Sequence, residues 1–223
     1  MFSLSAKEEV KRKPLFGAKN RATGQFFDLL INKTSQLVST IGADVIWFDE
    51  NKQQGHDFSS RITQAFSDLF AQGYEKVISI GNDSPDLTIA HIETALQKLE
   101  ENELVLGPSA DGGAYLIGIH KSNFNAAAFK ALPWQQENLF AELVADANTH
   151  KRSISFLGLL NDLDTAEDVF AYAKINTKSF IGLFIEDLIG QKRPVLDQLL
   201  LIIPSQKCRS IRALRAPPYQ IAA

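Results

Sequence analysis

Two carboxylates follow a short apolar run in residues 81–86, which read Gly-Asn-Asp-Ser-Pro-Asp. Residues 77–80 are β-branched or small, and an apolar pattern with helical spacing begins at Ile89. In an open α/β sheet, ligands bind at the carboxyl ends of the strands, so Asp83 and Asp86 are placed where a ligand would lie. Their hard oxygens suit Mg²⁺ or Mn²⁺ held together with substrate phosphates. The alternative is that both residues only shape a turn and cap the helix.

A second acidic loop, residues 107–115, contains Asp111 beside the glycine pair Gly112 and Gly113. Paired glycines let the backbone approach a ligand closely or adopt a positive φ. The loop links two predicted strands, so Asp111 is expected in the same mouth as Asp83. The alternative is a glycine-rich turn in which the Asp111 side chain accepts a hydrogen bond from the backbone of the same turn.

A third acidic segment, residues 161–165, also follows a predicted strand and opens a predicted helix. Asp162 or Asp164 could complete a metal site with Asp83, because carboxylate oxygens are the usual ligands of hard cations. The alternative is that these charges complement the positive end of the helix dipole.

The basic candidates lie earlier in the chain, within a polar segment that we predict to be a loop over residues 7–19. Lys11, Arg12 and Lys13 could clamp a diphosphate and neutralise its charge, as phosphoryl-transfer sites require. The alternative is a solvated charge run. Gln54 and Arg61 are weaker candidates for the same ligand.

The elements that position these residues follow from hydrophobic periodicity. The predicted strands are residues 2–6, 43–48, 77–80, 104–106, 115–119 and 154–157; the predicted helices are residues 26–38, 62–70, 89–99, 138–147 and 165–174. About eight residues separate the fourth and fifth strands, which is too few for a helical crossover of about a dozen or more. Strict β-α-β alternation therefore breaks there. Elsewhere the alternation predicts an α/β protein with three layers and a mostly parallel sheet.

The pattern changes after residue 176, which divides the chain into a predicted domain, residues 1–175, and an accessory helical tail, residues 176–223. Residues 180–188 have helical apolar spacing, and residues 196–203 predict a second short helix or buried segment. Arg209, Arg212 and Arg215 form a basic end. A dimerisation element is the alternative function of the tail.

Composition excludes several broad classes. The chain has 223 residues, 22% of them charged, and a formal net charge of −3, so a general nucleic-acid binder is not expected. The single cysteine favours a reducing compartment, and the longest apolar run is too short to span a bilayer. We therefore expect a cytoplasmic protein without a membrane span. Glycine-rich dinucleotide, P-loop and paired-cysteine zinc motifs are also absent from the sequence.

Four segments occur in an order that resembles a known family: residues 80–88, 107–118, 133–134 and 162–168. Together they resemble the bacterial glycosyltransferase-like family related to phospholactate guanylyltransferase, within the nucleotide-diphospho-sugar transferases of the GT-A fold. The resemblance covers residues 2–174. Gln54 and Arg61 fall in a further matching segment. The loop after the first strand departs from the family pattern, because residues 10–15 read Val-Lys-Arg-Lys-Pro-Leu.

The resemblance implies a GT-A-like α/β/α fold and a site for a nucleotide-sugar or a nucleoside triphosphate, with Mg²⁺ or Mn²⁺ as cofactor. It makes Asp83 the metal carboxylate, with Asp162 or Asp164 as the second, and places Asp111, Gly112 and Gly113 on the acceptor or sugar side. Asp83 and Asp111 are the predicted catalytic residues. Lys11, Arg12, Lys13, Gln54 and Arg61 are the predicted cofactor-binding residues, with the two glycines.

The leading expectation is a metal-dependent transferase that acts on a nucleotide-activated sugar and a small acceptor. One alternative is a nucleotidylyltransferase, which would join a nucleoside triphosphate to a small phosphorylated substrate and release pyrophosphate. Another is a binding protein that retains the fold without turnover. A homodimer formed through the tail is a further expectation.

Overall fold

The computed structural model of this chain describes residues 1–17 and 19–190. Within them, four strands form one sheet: β1 Lys76–Ile80, β2 Leu104–Pro108, β3 Ala114–His120 and β4 Ile154–Phe156. The eight α-helices are α1 Ala6–Arg12, α2 Asn20–Ser39, α3 Phe58–Ala71, α4 Ile89–Glu101, α5 Ala126–Ala131, α6 Leu139–Thr149, α7 Ala166–Ile175 and α8 Phe180–Ile189. A single 3₁₀ turn, Lys121–Asn123, follows β3.

The sheet has the strand order β1-β3-β2-β4. β3 pairs antiparallel with both β1 and β2, whereas β2 and β4 are parallel. Three of the four strands therefore run in one direction, with β3 reversed between two of them. The predicted break in alternation is confirmed, because a loop of a few residues can join only antiparallel neighbours. The described sheet is mixed, since two of its three strand pairs are antiparallel.

Alternating side chains of the strands face opposite layers. Leu104 and Leu106 pack in one cluster with residues of α3, α5 and α6, while Val105 packs in another with residues of α4. In β3, Ile117 packs in the first of these clusters and Leu116 packs in the second. Helices therefore cover both faces of the sheet, as the three-layer prediction requires.

A third cluster joins the helices at the two ends of the described chain. Residues of α1, α2, α7 and α8 share it, with Phe26, Phe27 and Leu30 of α2 almost completely buried. Ile181 and Ile185 of α8 belong to the same cluster. The helix predicted over residues 180–188 is thus present and packs on α2 and α7, whereas the domain boundary at residue 175 stays a prediction. The predicted second helix and the basic end lie outside the described residues.

The first two predicted strands are wrong in extent. Phe2 forms a single isolated parallel bridge with Phe48, and its N–H donates to the Ile80 carbonyl. The chain then turns away, because Ser5 begins α1 and its amide and hydroxyl both donate to Glu50. Residues 43–46 face β1 across an apolar cavity of about 230 Å³, so no ladder forms there.

The predicted loop over residues 7–19 is also wrong, because residues 6–12 form α1. Most of this helix is charged, so its short apolar stripe gives a weak periodic signal. Ala6 and Glu9 are its buried residues, and Val10 packs against the cluster of α2. The helix is stabilised mainly by tertiary packing, as expected for seven residues.

In the part of the chain that the structure describes, no helix combines the length and the apolar character needed to cross a membrane.

Replacement of Leu106 by alanine tests the central packing. The side chain is fully buried in β2, so Leu106→Ala should lower the free energy of unfolding by about 2–5 kcal/mol. Leu159→Ala is the matched control, because Leu159 is 64% exposed and should cost about 0.5 kcal/mol or less. Urea denaturation monitored by circular dichroism measures both, and equal losses would contradict the assignment of Leu106 to the core.

Candidate functional site

A cavity of about 470 Å³ opens at the carboxyl ends of β1 and β2, within the size range of small-ligand sites. Its wall includes most of the charged residues predicted for the site. These are Arg12, Lys13, Asp83, Asp111, Asp162 and Asp164, with Glu9 in addition. The structure therefore brings the three predicted acidic loops and the end of the basic segment to one edge of the sheet.

Backbone hydrogen bonds hold these loops at fixed spacing. The amide of Leu163 donates to the carbonyl of Asp83 at 2.9 Å, which joins the loop after β1 to the segment before α7. The amide of Ala110 donates to the carbonyl of Leu160 at 2.9 Å, which joins the loop after β2 to the same segment. The positions of the carboxylates are thus set by main-chain contacts.

Lys13 is the central cation of the site. It ends α1, and its amide donates to the Glu9 carbonyl at 2.8 Å. Its Nζ donates to Asp164 Oδ1 and lies 3.5 Å from Asp83 Oδ2. Burial alone would lower the pKa of Lys13, but the negative charges of Asp83 and Asp164 outweigh it and raise that pKa above its usual value. Lys13 is therefore a permanent ammonium that bridges two carboxylates.

Asp162 lies on the other side of the acidic cluster. Its Oδ1 accepts a hydrogen bond from Ser84 Oγ. Burial and the nearby charge of Asp83 raise the pKa of Asp162 to about 7. Burial and Asp83 also raise the pKa of Asp164, although Lys13 acts in the opposite direction. Protonation of Asp162 near neutral pH would reduce the repulsion within the cluster.

Glu9 is a buried carboxyl that lines the cavity from α1. It is 7% exposed, and its Oε2 has no hydrogen-bond partner among the described residues. Burial raises the pKa of Glu9, whereas the charges of Lys13 and Arg12 lower it. The periodicity of the sequence gave no reason to single out Glu9, because it lies within a run of charged residues that was predicted to be a loop.

The glycine-rich loop forms the expected turn and also lines the cavity. Gly113 N–H donates to Asp111 Oδ1 at 2.9 Å, as in the expected turn, while Asp111 also lines the cavity. Gly112 has φ +88°, and a Cβ there would lie 1.8 Å from the Glu137 carbonyl oxygen. Phe140 N–H donates to the Gly112 carbonyl at 2.9 Å. The loop is thus fitted closely against the segment that precedes α6.

An apolar wall completes the cavity. Trp134 is 9% exposed, its Nε1 donates to the Phe129 carbonyl at 2.8 Å, and its ring packs on Phe58 and Phe129. Phe58 and Ile62 line the cavity together with Trp134. Trp134 is therefore held rigidly by packing and presents part of its surface to the cavity.

Four of the predicted binding residues do not line this cavity: Lys11, Gln54, Arg61 and Gly112. Lys11 points to solvent and pairs with Glu8 at 2.6 Å. Gln54 is exposed, and its neighbour Gln53 lines the cavity instead. Arg61 lies near the start of α3, and its buried Nε has no hydrogen-bond partner among the described residues. A one-residue offset in an irregular segment, as between Gln53 and Gln54, cannot be resolved by periodicity.

Ser84 and Ser109 are site residues that the sequence analysis did not select. Ser84 bonds Asp162, and Ser109 is 3% exposed and lies near enough to Asp162 to lower its pKa. Ser109 Oγ makes no hydrogen bond of ordinary geometry to another described residue. Ser84 lies in residues 81–86 and Ser109 in residues 107–115. Their positions close in sequence to the predicted carboxylates could have identified them as site residues.

The predicted metal site does not fit a cation in this arrangement. In residues 1–17 and 19–190, no three His, Cys, Asp or Glu side chains are grouped so that they could hold a metal ion. Asp83 and Asp164 both face the Lys13 ammonium, whereas Asp162 faces Ser84. The assignment of Mg²⁺ or Mn²⁺ to Asp83, Asp162 and Asp164 stays a prediction.

Comparison with known families gives a match over the middle of the chain. Residues 32–136 match the family described as "Uncharacterized protein conserved in bacteria (DUF2064)". This segment runs from α2 to the apolar wall and includes the loops of Asp83 and Asp111. A search of the curated proteins finds no match.

Comparison with solved structures identifies the fold. A protein from Desulfovibrio desulfuricans G20, provisionally named a nucleotide-diphospho-sugar transferase, superposes with a TM-score of 0.73 at 21% identity, over 85% of this chain and 95% of that one. Rv0371c from Mycobacterium tuberculosis H37Rv gives a TM-score of 0.39 at 14% identity, over 66% and 72% of the two chains. The first match confirms the predicted fold.

These two findings also confirm the predicted resemblance to a bacterial family with a GT-A-like fold. Neither names phospholactate guanylyltransferase, so that part of the resemblance stays a prediction.

Replacement of Gly112 by alanine tests the close fit of the glycine-rich loop. The substitution should cost more than the roughly 1–3 kcal/mol of a strained φ, because the added Cβ also overlaps the Glu137 carbonyl. Gly73→Ala is the matched control, since Gly73 has φ +100° with nothing near its Cβ position. Thermal denaturation compares the two; a smaller loss in Gly112→Ala than in Gly73→Ala would contradict the described contact.

The raised pKa of Asp162 predicts a pH-dependent stability. The folded chain binds a proton at Asp162 more tightly than the unfolded chain does, so this contribution to stability is present below about pH 4 and is lost as the pH rises through about 7. Asp162→Asn should therefore raise the midpoint temperature relative to the wild type more at pH 8 than at pH 5. Asp187→Asn, on the exposed side of α8, is the control and should show no such trend. A difference independent of pH would refute the environment assigned to Asp162.

Proposed function

We propose that this chain, which shares its fold with a provisionally named nucleotide-diphospho-sugar transferase, transfers the sugar of a nucleotide-diphospho-sugar to a small acceptor. The observation that carries the proposal is the cavity itself. It lies at the carboxyl ends of the strands, where ligands bind in open α/β sheets, and combines basic residues, carboxylates and an apolar wall.

Arg12 and Lys13 are the groups proposed to bind the donor diphosphate. Both line the cavity at the end of α1. The planar guanidinium of Arg12 can donate two parallel hydrogen bonds to phosphate oxygens, and Lys13 can add a point charge. Arg12 is exposed, and the structure assigns it no ion pair among the described residues, so it can turn toward a ligand.

Asp111 is proposed to act on the acceptor side. Transfer forms a bond between an acceptor hydroxyl oxygen and the anomeric carbon and breaks the bond from that carbon to the diphosphate. The acceptor proton must go to a base, and the carboxylate of Asp111 lines the cavity for this role. The nucleoside diphosphate leaves with the bonding electron pair. The hydrogen bond from Gly113 N–H keeps the Asp111 carboxylate in place.

The roles in this reaction are assigned to side chains of the protein itself. The predicted Mg²⁺ or Mn²⁺ would neutralise the leaving diphosphate when bound, but the carboxylates as arranged do not fit it.

Binding of the donor is the first test. The purified chain is titrated by calorimetry with nucleotide-diphospho-sugars, nucleoside diphosphates and nucleoside triphosphates, each in EDTA and in Mg²⁺. Arg12→Ala should weaken binding of the preferred nucleotide at least about tenfold, because a hydrogen bond from a charged donor is lost. Arg21→Ala, an exposed arginine on α2, is the matched control and should leave the affinity unchanged.

The reaction products then identify the reaction. Release of a free nucleoside diphosphate from a nucleotide-sugar supports the transferase. Release of pyrophosphate from a nucleoside triphosphate would instead establish the nucleotidylyltransferase. Tight binding of a nucleotide without either product would indicate a binding protein, and the absence of any nucleotide binding would overturn the proposal.

A further inference from the structure

The ion pairs of Lys13 bear on how cations reach the carboxylates of the candidate site. Its ammonium donates to Asp164 and lies 3.5 Å from Asp83, and these two residues come from different loops. The side chain of Lys13 is 23% exposed, so the contact is largely shielded from solvent. The same pair of carboxylates was predicted from sequence to contribute to a metal site.

Glu9 provides a second, independent observation. Only 7% of its surface is exposed, and it lines the cavity one turn before Lys13. Its Oε2 has no hydrogen-bond partner among the described residues. Glu9 thus adds a further carboxyl to a cavity wall in which acidic side chains outnumber basic ones. A cation is the kind of ligand that such a wall attracts, and the cation present here is the lysine of the chain itself.

We infer that Lys13 takes the position that a divalent cation would need between Asp83 and Asp164, so that cation binding and the Lys13 ion pairs exclude each other. The inference deepens the proposed function. Its relevance to the donor phosphates rests on that function, because Lys13 is one of the groups proposed to bind the diphosphate. The chain itself supplies the positive charge that a metal ion would otherwise bring to these carboxylates.

Geometry and charge both make the two occupants exclusive. Mg²⁺ requires oxygen ligands at about 2.0–2.1 Å in a near-octahedral arrangement, and Mn²⁺ also prefers oxygen ligands. An ammonium that donates to Asp164 Oδ1 already engages one of the carboxylate oxygens that such an ion would bind. The ammonium and the ion also repel each other, because both are positive and little water separates them.

Metal binding by variants without nucleotide tests this inference. Mn²⁺ alone is titrated into the wild type and into Lys13→Met, and free Mn²⁺ is measured by electron paramagnetic resonance. Removal of the ammonium should raise the affinity for Mn²⁺ at least about tenfold, as for a typical coupling between two sites. Asp83→Asn combined with Lys13→Met should abolish the gain, because it removes one of the two carboxylates.

Two further variants control for charge and for folding. Lys11→Met removes a lysine of the same helix that pairs with Glu8 in solvent, and it should leave the Mn²⁺ affinity unchanged. Lys13→Arg keeps the positive charge and should bind Mn²⁺ as weakly as the wild type. If Lys13→Met does not fold, Lys13→Gln replaces it, because its amide can still donate to one carboxylate.

The outcomes separate this inference from the proposed function. Equal Mn²⁺ affinity in the wild type and Lys13→Met, whether tight or absent, would overturn the exclusion. The titration contains no nucleotide, so it stands even if no donor binds. Conversely, donor binding in EDTA would support the proposed function regardless of how the Mn²⁺ titration ends.

Discussion

The pairing of β3 with both β1 and β2 is the constraint on which the rest of the site depends. Because β3 runs against its neighbours, it can return directly after β2 through a short loop. That loop carries Asp111, and its reversal places it beside the loop that follows β1. The position of Asp111 relative to Asp83 is therefore a product of strand order.

The apolar pattern was sufficient to predict the elements that pack directly in the sheet core. β1, β2 and β3 are short, mostly apolar runs whose side chains divide between the two clusters on opposite faces of the sheet, and α4 presents one apolar face to one of these clusters. It failed for α1 and for the strands predicted over residues 2–6 and 43–48. The charged α1 is held mainly by contacts with α2, and the bridge between Phe2 and Phe48 depends on partners that are distant in sequence.

The candidate site was predictable where a motif follows a strand. Asp83, Asp111, Asp162 and Asp164 all line the cavity, and the edge of an α/β sheet is a general location for ligands. The partners of these residues were not predictable. The contact between Lys13 and Asp164 joins residues 151 positions apart, and Glu9 faces the cavity only because α1 is a helix. Sequence spacing carries no information about such tertiary pairs.

The main-chain bonds between the acidic loops separate the spacing of the site from its chemistry. Leu163 with Asp83, and Ala110 with Leu160, are joined through backbone atoms that every residue possesses. Replacement of a carboxylate therefore changes the charge of the cavity without removing the contacts that set its dimensions. A lineage with this fold can vary the acidity of the wall one position at a time while the scaffold stays in place. Divergence of substrate then requires few coordinated substitutions, which favours a broad range of activities on one architecture.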